Sequence, residues 1–155
     1  MKQFVNHIDH VAWVSHLETL EENAAQLSII SGVRFEPFER EEWGIVGYFS
    51  PKSGIEIVAP MERETEFNVK FKERLQTSGE GVWGVIMGVR NLDQEADRLA
   101  AHGFALGPVM QGDSRDPWYD KVRLSERVVG TRMNCQFVVG DIRYSDDAID
   151  YVDVG

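Results

Sequence analysis

Cysteine, basic residues and long apolar runs are scarce in this 155-residue sequence. Its one cysteine, Cys135, excludes an internal disulfide framework and favours a reducing cytoplasm. No apolar run approaches the roughly 18–20 residues that cross a bilayer, and the opening MKQFVNHIDH lacks the apolar core of a secretory signal. The sequence therefore predicts a cytoplasmic protein without a membrane partner.

Basic residues are also fewer than acidic ones: the sequence has 16 Lys and Arg against 26 Asp and Glu, which gives a formal net charge of −10. A phosphate backbone is held mainly by basic side chains, so nucleic acid is not expected as a partner. Hydrophobic residues make up 43% of the chain, the proportion of an ordinary globular domain. The length suits one compact domain or two small modules packed together.

What the sequence does contain is an internal repeat of secondary-structure signals. Alternating or apolar runs predict strands in the first half at 7–14, 33–39, 43–50 and 54–60, and in the second half at 81–89, 104–110, 120–129 and 131–139. A helical pattern follows the first strand of each half, and a polar linker with a short helix, at 61–79, separates the halves. Each half alone is too small to bury a good core.

The repeat predicts an α+β protein of two tandem βαβββ modules, at about 5–60 and 80–140, that form curved sheets around a shared cleft. The acidic stretch 141–155 is expected to be a tail. Local signals also predict the helix ends. Ser15-His-Leu-Glu18 has the pattern of a capping box, Asn91 can cap the second helix, and Gly32 suits the end of the first.

The stretches HIDHVAWVS, IEIVAP and GVWGVIMGVRNLDQEADRLAAHGF resemble the vicinal oxygen chelate superfamily. That superfamily includes glyoxalase I, methylmalonyl-CoA epimerase, extradiol dioxygenases and drug-resistance proteins. The resemblance covers about residues 7–140 and is nearest to the branch of glyoxalase I and methylmalonyl-CoA epimerase. It implies the fold, whereas the same scaffold hosts isomerases, epimerases, oxygenases, lyases and simple binders.

The resemblance also implies metal ligands on the first and the last strand of each half. In this sequence those positions hold His10, Glu56, Gly84 and Gln136. His10, Glu56 and Gln136 are residue types that members of the superfamily use as ligands, but Gly84 has no side chain to offer. The resemblance therefore implies a divalent metal ion (Zn, Ni, Co, Mn or Fe) on three protein ligands, with water completing the shell.

The chemistry of these residues leaves two interpretations open. A lone histidine such as His10, in an apolar strand, is ordinarily a hydrogen-bonded structural residue. Glu56 and Gln136 are further polar residues in apolar strands, where a carboxylate is rarely left without a partner. The three either bind a metal, or they line a metal-free cleft in which Glu56 pairs with His10 and Gln136 supplies hydrogen bonds.

Epimerases of the superfamily use carboxylates as general bases, and the resemblance places one of them where this sequence has Gly47. Proton transfer is therefore expected to fall to Glu56. We expect a homodimeric, glyoxalase-like enzyme of isomerase, epimerase or lyase type that acts on a small oxygenated or thioester substrate. In it, a metal would polarise a carbonyl or enolate oxygen. The alternative is a metal-free protein that sequesters a drug or metabolite.

Overall fold

A computed structural model describes all 155 residues and contains eight strands and three helices. The first elements are β1 (His7–Val14), α1 (Leu20–Ser31), β2 (Glu36–Arg40), β3 (Ile45–Ser50) and β4 (Ile55–Pro60). They are followed by α2 (Val69–Ser78), β5 (Gly81–Gly88), α3 (Leu92–Ala101), β6 (Met110–Gln111), β7 (Val122–Arg132) and β8 (Cys135–Tyr144). This order confirms the predicted α+β class and the repeated β-α-β-β-β pattern. None of the helices is long and apolar enough to span a membrane.

The residues Val11–Trp83 form one compact unit, here called the middle unit. Its strands pair in the order β2-β3-β4-β1, with β1 and β4 parallel and the other pairs antiparallel. Ile57 of β4 packs against Leu20 of α1, whereas the next residue, Val58, packs with Phe71 of α2. Successive side chains of a strand point to opposite faces, so a helix covers each face of β4.

The residues Met1–His10 and Gly84–Gly155 form the other compact unit, here called the terminal unit. Its strands pair in the order β5-β8-β7-β6, and only β5 and β8 are parallel. Backbone hydrogen bonds join Lys2 to Tyr144 in both directions, at 2.7 and 2.8 Å. The first residues of the chain are therefore held against the last strand.

The predicted strand at 131–139 begins too early, because a tight turn at Met133 and Asn134 divides it between β7 and β8. Met133 and Asn134 form the turn with φ angles of 54° and 56°. Two successive positive φ values are typical of the two-residue turn that closes a β-hairpin, and Asn adopts them far more readily than Met. The sequence did not predict this turn, because Met133 is not a typical turn residue. In addition, β8 continues to Tyr144, four residues into the predicted tail, and only Met110–Gln111 is strand within or next to the stretch 104–110.

Two of the predicted helix ends are confirmed. Asn91 Oδ1 accepts a hydrogen bond of 3.0 Å from the backbone N–H of Gln94 at the start of α3. Gly32 ends α1 in the left-handed conformation, with φ of 73°.

The capping box at Ser15–Glu18 is wrong, because a residue far along the chain takes its place. Glu80 Oε2 accepts hydrogen bonds from Ser15 Oγ at 2.8 Å, the backbone N–H of His16 at 3.0 Å, Thr19 Oγ1 at 2.7 Å and Asn23 Nδ2 at 2.9 Å. A local sequence pattern carries no information about such a partner.

Candidate functional site

Four polar side chains of the terminal unit form a connected, largely buried group, here called the His10 array. It consists of Asp9, His10, Glu126 and Tyr144. The Tyr144 hydroxyl donates a hydrogen bond to Asp9 Oδ1, and His10 Nδ1 lies 2.7 Å from the same oxygen. His10 Nε2 lies 3.6 Å from Glu126 Oε1. The imidazole of His10 is therefore placed between two carboxyl groups.

Burial differs along the His10 array. The side chains of Asp9 and His10 are 0% and 1% exposed, whereas that of Glu126 is 13% exposed. Tyr144 is fully buried as well. Glu126 is therefore the member of the array with the largest solvent-exposed fraction.

The protonation of His10 follows from its partners. An ionised carboxylate only accepts hydrogen bonds, so Asp9 favours the tautomer of His10 that carries its proton on Nδ1. In neutral His10, the lone pair on Nε2 then faces a carboxylate oxygen of Glu126. One further proton, on either Nε2 or Glu126, makes that contact attractive. His10 Nε2 and Glu126 Oε1, 3.6 Å apart, are the two positions for such a proton.

The strands that carry the array explain how it is assembled. Glu126 on β7 stands opposite Gly140 on β8, and a Cβ atom at residue 140 would lie 3.2 Å from Glu126 Cγ. The missing side chain leaves the space that the Glu126 stem occupies. Tyr144 is held by its backbone bonds to Lys2 and by an edge-on contact of its ring with Phe4, at 5.9 Å between centroids.

The structure places the three predicted ligands in different surroundings. His10 is at the centre of the array. Gln136, on β8 of the same unit, is partly buried, and its side-chain oxygen Oε1 is buried without a hydrogen-bond partner. Glu56 belongs to the middle unit, where it is half-buried in β4 in register with Ala12. That the three side chains share one metal ion stays a prediction.

Gly84, the fourth position implied by the resemblance, is constrained by its neighbour on β8. A Cβ atom there would lie 3.0 Å from the backbone oxygen and 3.1 Å from Cβ of Gln136, its register partner. A histidine at this position would require the two strands to shift.

The donor set fits a divalent metal in part. No three or more His, Cys, Asp or Glu side chains are grouped so as to hold a metal ion. His10, however, has the arrangement of a metal-binding histidine, since its Nδ1 is bonded to a carboxylate and Nε2 points the other way. The side-chain oxygen of Gln136, which has no hydrogen-bond partner, is a second atom that can coordinate a cation.

Sequence reasoning missed Asp9, Glu126 and Tyr144. Asp9 left a signal, because a charged residue within the strand HIDHVAWV needs a buried partner if both faces are covered. Glu126, within VRLSERVV, left a weaker one. Tyr144 left none, since it falls in the stretch predicted to be a tail.

No family model and no curated protein matches the sequence. Solved structures do match the fold. A methylmalonyl-CoA epimerase from Streptomyces coelicolor superposes with a TM-score of 0.64 and 15% identity, over 88% of this chain and 97% of that one. The epimerase from Mycobacterium tuberculosis has a TM-score of 0.64 and 17% identity, over 91% of each chain.

A variant of 4-hydroxymandelate synthase from Streptomyces coelicolor matches with a TM-score of 0.68 and 14% identity over 90% of this chain. The match covers 48% of the synthase, so the chain spans about half of that protein. Both kinds of neighbour have the vicinal oxygen chelate fold, which confirms the predicted fold of this chain.

Proposed function

We propose that this protein, on its vicinal oxygen chelate fold, is an epimerase- or isomerase-type enzyme that moves a proton on a small oxygenated or thioester substrate. The observation that carries the proposal is the burial of His10 between the carboxyl groups of Asp9 and Glu126. Taking three titratable groups out of water costs folding free energy unless they share hydrogen bonds or a proton. A proton that moves between His10 and Glu126 gives the buried residues of the His10 array a role in catalysis.

In the proposed reaction, Glu126 takes the proton from the carbon next to a substrate carbonyl. The C–H bond breaks, its electron pair passes into the enolate, and the proton goes to the carboxylate. His10 exchanges this proton with Glu126, while Asp9 keeps the imidazole in one orientation and tautomer. Return of a proton to the same carbon on either face gives epimerisation, and return to another atom gives isomerisation. Glu56 is the second candidate for the proton-carrying residue.

The likeness to epimerases supports the choice of substrates to test. One solved epimerase carries 2-nitronate-propionyl-CoA and another carries methylmalonyl-CoA, and both ligands are acyl thioesters. At 14–15% identity these structures bear on the fold alone. On this shared fold, acyl thioesters with an acidic hydrogen next to the carbonyl are the first class of substrate to test.

A metal-dependent form of the same function is a second candidate. The unsatisfied buried oxygen of Gln136 and the carboxylate-bonded His10 favour it. The proposed ligands of the divalent metal ion are His10, Glu56 and Gln136. Such an ion, when bound, polarises a carbonyl or enolate oxygen and so makes the neighbouring C–H more acidic.

The proposal is tested by hydrogen exchange at the acidic carbon. The full chain is incubated in D2O with a panel of acyl-CoA thioesters and small 2-oxo acids, and deuterium uptake is followed by mass spectrometry. We expect exchange with at least one substrate, and a loss of roughly 10²–10⁴-fold in Glu126→Gln and in His10→Gln. Glu39→Gln, an exposed strand glutamate, serves as the matched control and should keep the wild-type rate.

Exchange that persists at the wild-type rate in both Glu126→Gln and His10→Gln would overturn the assignment. A protein that binds members of the panel but leaves their hydrogens unexchanged would instead be the metabolite- or drug-sequestering protein of the alternative hypothesis.

A further inference from the structure

A cavity lies in the terminal unit, between α3 and the strands, and none of the residues of the His10 array lines it. It has a volume of about 540 Å³, within the roughly 300–1,000 Å³ of small-molecule sites. Most of its walls are apolar and partly buried, and they include Met87, Val89, Leu99, Phe104, Val129, Phe137 and Val139. On β8, the lining residues are Phe137, Val138 and Val139, and Gln136 is not among them.

Three charged residues line the cavity, namely Glu95, Arg98 and Arg132. Arg98 is committed to Glu95, since its Nε donates a hydrogen bond of 3.0 Å to Glu95 Oε1. This ion pair leaves no net charge. Arg132, in contrast, donates to the backbone oxygen of Thr131 at 2.8 Å and makes no ion pair with a carboxylate of this chain. Its guanidinium lies over the Phe104 ring, 5.7 Å from the centroid.

The cavity therefore has a positive end on a protein whose net charge is −10. A guanidinium presents several N–H groups in one plane, which matches the two oxygens of a carboxylate. An apolar chamber with one uncommitted arginine at its edge is complementary to a ligand with an apolar body and a carboxylate head.

We infer that this cavity binds a small amphipathic carboxylate, with its hydrocarbon part between α3 and the strands and its carboxylate on Arg132. The site is independent of the proposed proton transfer, because it uses none of the residues of the His10 array.

The ligand pair octanoate and 1-octanol tests this assignment on the full chain, because the two share a chain length and differ in charge. Binding is measured by calorimetry and by displacement of the dye 1-anilinonaphthalene-8-sulfonate. We expect octanoate to bind at one site per chain and more tightly than octanol by about tenfold or more, the size of one charge-assisted contact.

Two variants locate the site. Arg132→Gln, at an exposed position, should remove the preference for octanoate, whereas Arg123→Gln, exposed on the same strand outside the cavity, should keep it. Val129→Trp fills the cavity and should weaken both ligands. His10→Gln should bind octanoate like the wild type, so that this result is separable from a failure of the proposed proton transfer.

Equal affinity for octanoate and octanol in the wild type would overturn the inference, as would an unchanged preference in Arg132→Gln. A cavity covered by a second copy of the chain would show itself differently. In that case light scattering would report a smaller assembly for Val129→Trp, and octanoate would not displace the dye, which also overturns the inference.

Discussion

The chemistry of His10 depends on three residues that surround it in the structure, namely Asp9, Glu126 and Tyr144. Asp9 is its neighbour in the chain, but Tyr144 is 135 positions from Asp9, and Glu126 lies on another strand. Without Tyr144, the buried carboxylate of Asp9 would keep the imidazole of His10 as its one hydrogen-bond partner. Tyr144 is thus a positioning residue for the pair.

Removal of one hydroxyl tests this role. Tyr144→Phe should lower the free energy of unfolding by about 1–3 kcal/mol, because Asp9 stays buried and loses a donor. The matched control is Tyr119→Phe, since Tyr119 is 46% exposed and its hydroxyl is in reach of water. Urea denaturation of both variants gives the comparison, and equal losses would speak against a specific role of the Tyr144 hydroxyl.

At the scale of elements, the start of α1 depends on a residue from the other end of the middle unit. Glu80 follows α2 and accepts four hydrogen bonds from the first turns of the α1 region. Burial by itself would raise the pKa of Glu80. The hydrogen bonds from Thr19, Ser15 and the backbone of His16 outweigh it, and the pKa lies below its usual value.

The lowered pKa of Glu80 determines how its contribution to the folding stability changes with pH. The ionised carboxylate is favoured in the folded state, so its stabilisation is complete above the ordinary carboxyl pKa and is lost as the pH falls through the lowered one. Glu80 is exposed, and its effect is therefore that of a helix cap rather than of a buried charge.

Glu80→Gln should cost about 1 kcal/mol near pH 7, or roughly 2–4 °C in Tm, as the loss of a cap does. The difference from the wild type should shrink as the pH falls below the usual carboxyl pKa. Thermal unfolding followed by circular dichroism between neutral and acidic pH measures it. Glu73→Gln, on the exposed side of α2, is the control, and a pH-independent difference in Glu80→Gln would contradict the argument.

At the scale of the whole molecule, the open question is whether His10, Glu56 and Gln136 hold a divalent metal. These residues come from both compact units, with His10 and Gln136 in the terminal unit and Glu56 in the middle unit. The expected homodimer likewise stays a prediction, and light scattering measures it.

Metal content gives the decisive measurement for the ligand set. Protein purified without chelator is analysed for Zn, Ni, Co, Mn and Fe, and we expect about one ion per chain, which His10→Ala, Glu56→Ala and Gln136→Ala each reduce. Glu39→Ala, at an exposed strand position, should keep the wild-type content. If the metal content is equal in all four variants, the predicted ligands are wrong.

The sequence by itself determined the order of most elements and the α+β class, because strand alternation, helical periodicity and glycine or asparagine at helix ends are local properties. The fold was expected from the resemblance to the vicinal oxygen chelate superfamily. It also singled out His10 and Gln136 as polar residues in apolar strands. It missed the turn at Met133, where an unfavourable residue occupies a left-handed position.

Only the tertiary structure decided which side chains surround His10. The pairing of Asp9 with Tyr144, the approach of Glu126 past Gly140 and the capping by Glu80 all join residues that are far apart in the chain. Such contacts depend on which strands become neighbours and in what register, and no periodicity within one segment encodes that. The same holds for the cavity beside Arg132, whose walls come from α3, from three strands and from loop residues that include Asn6, Phe104 and Met133.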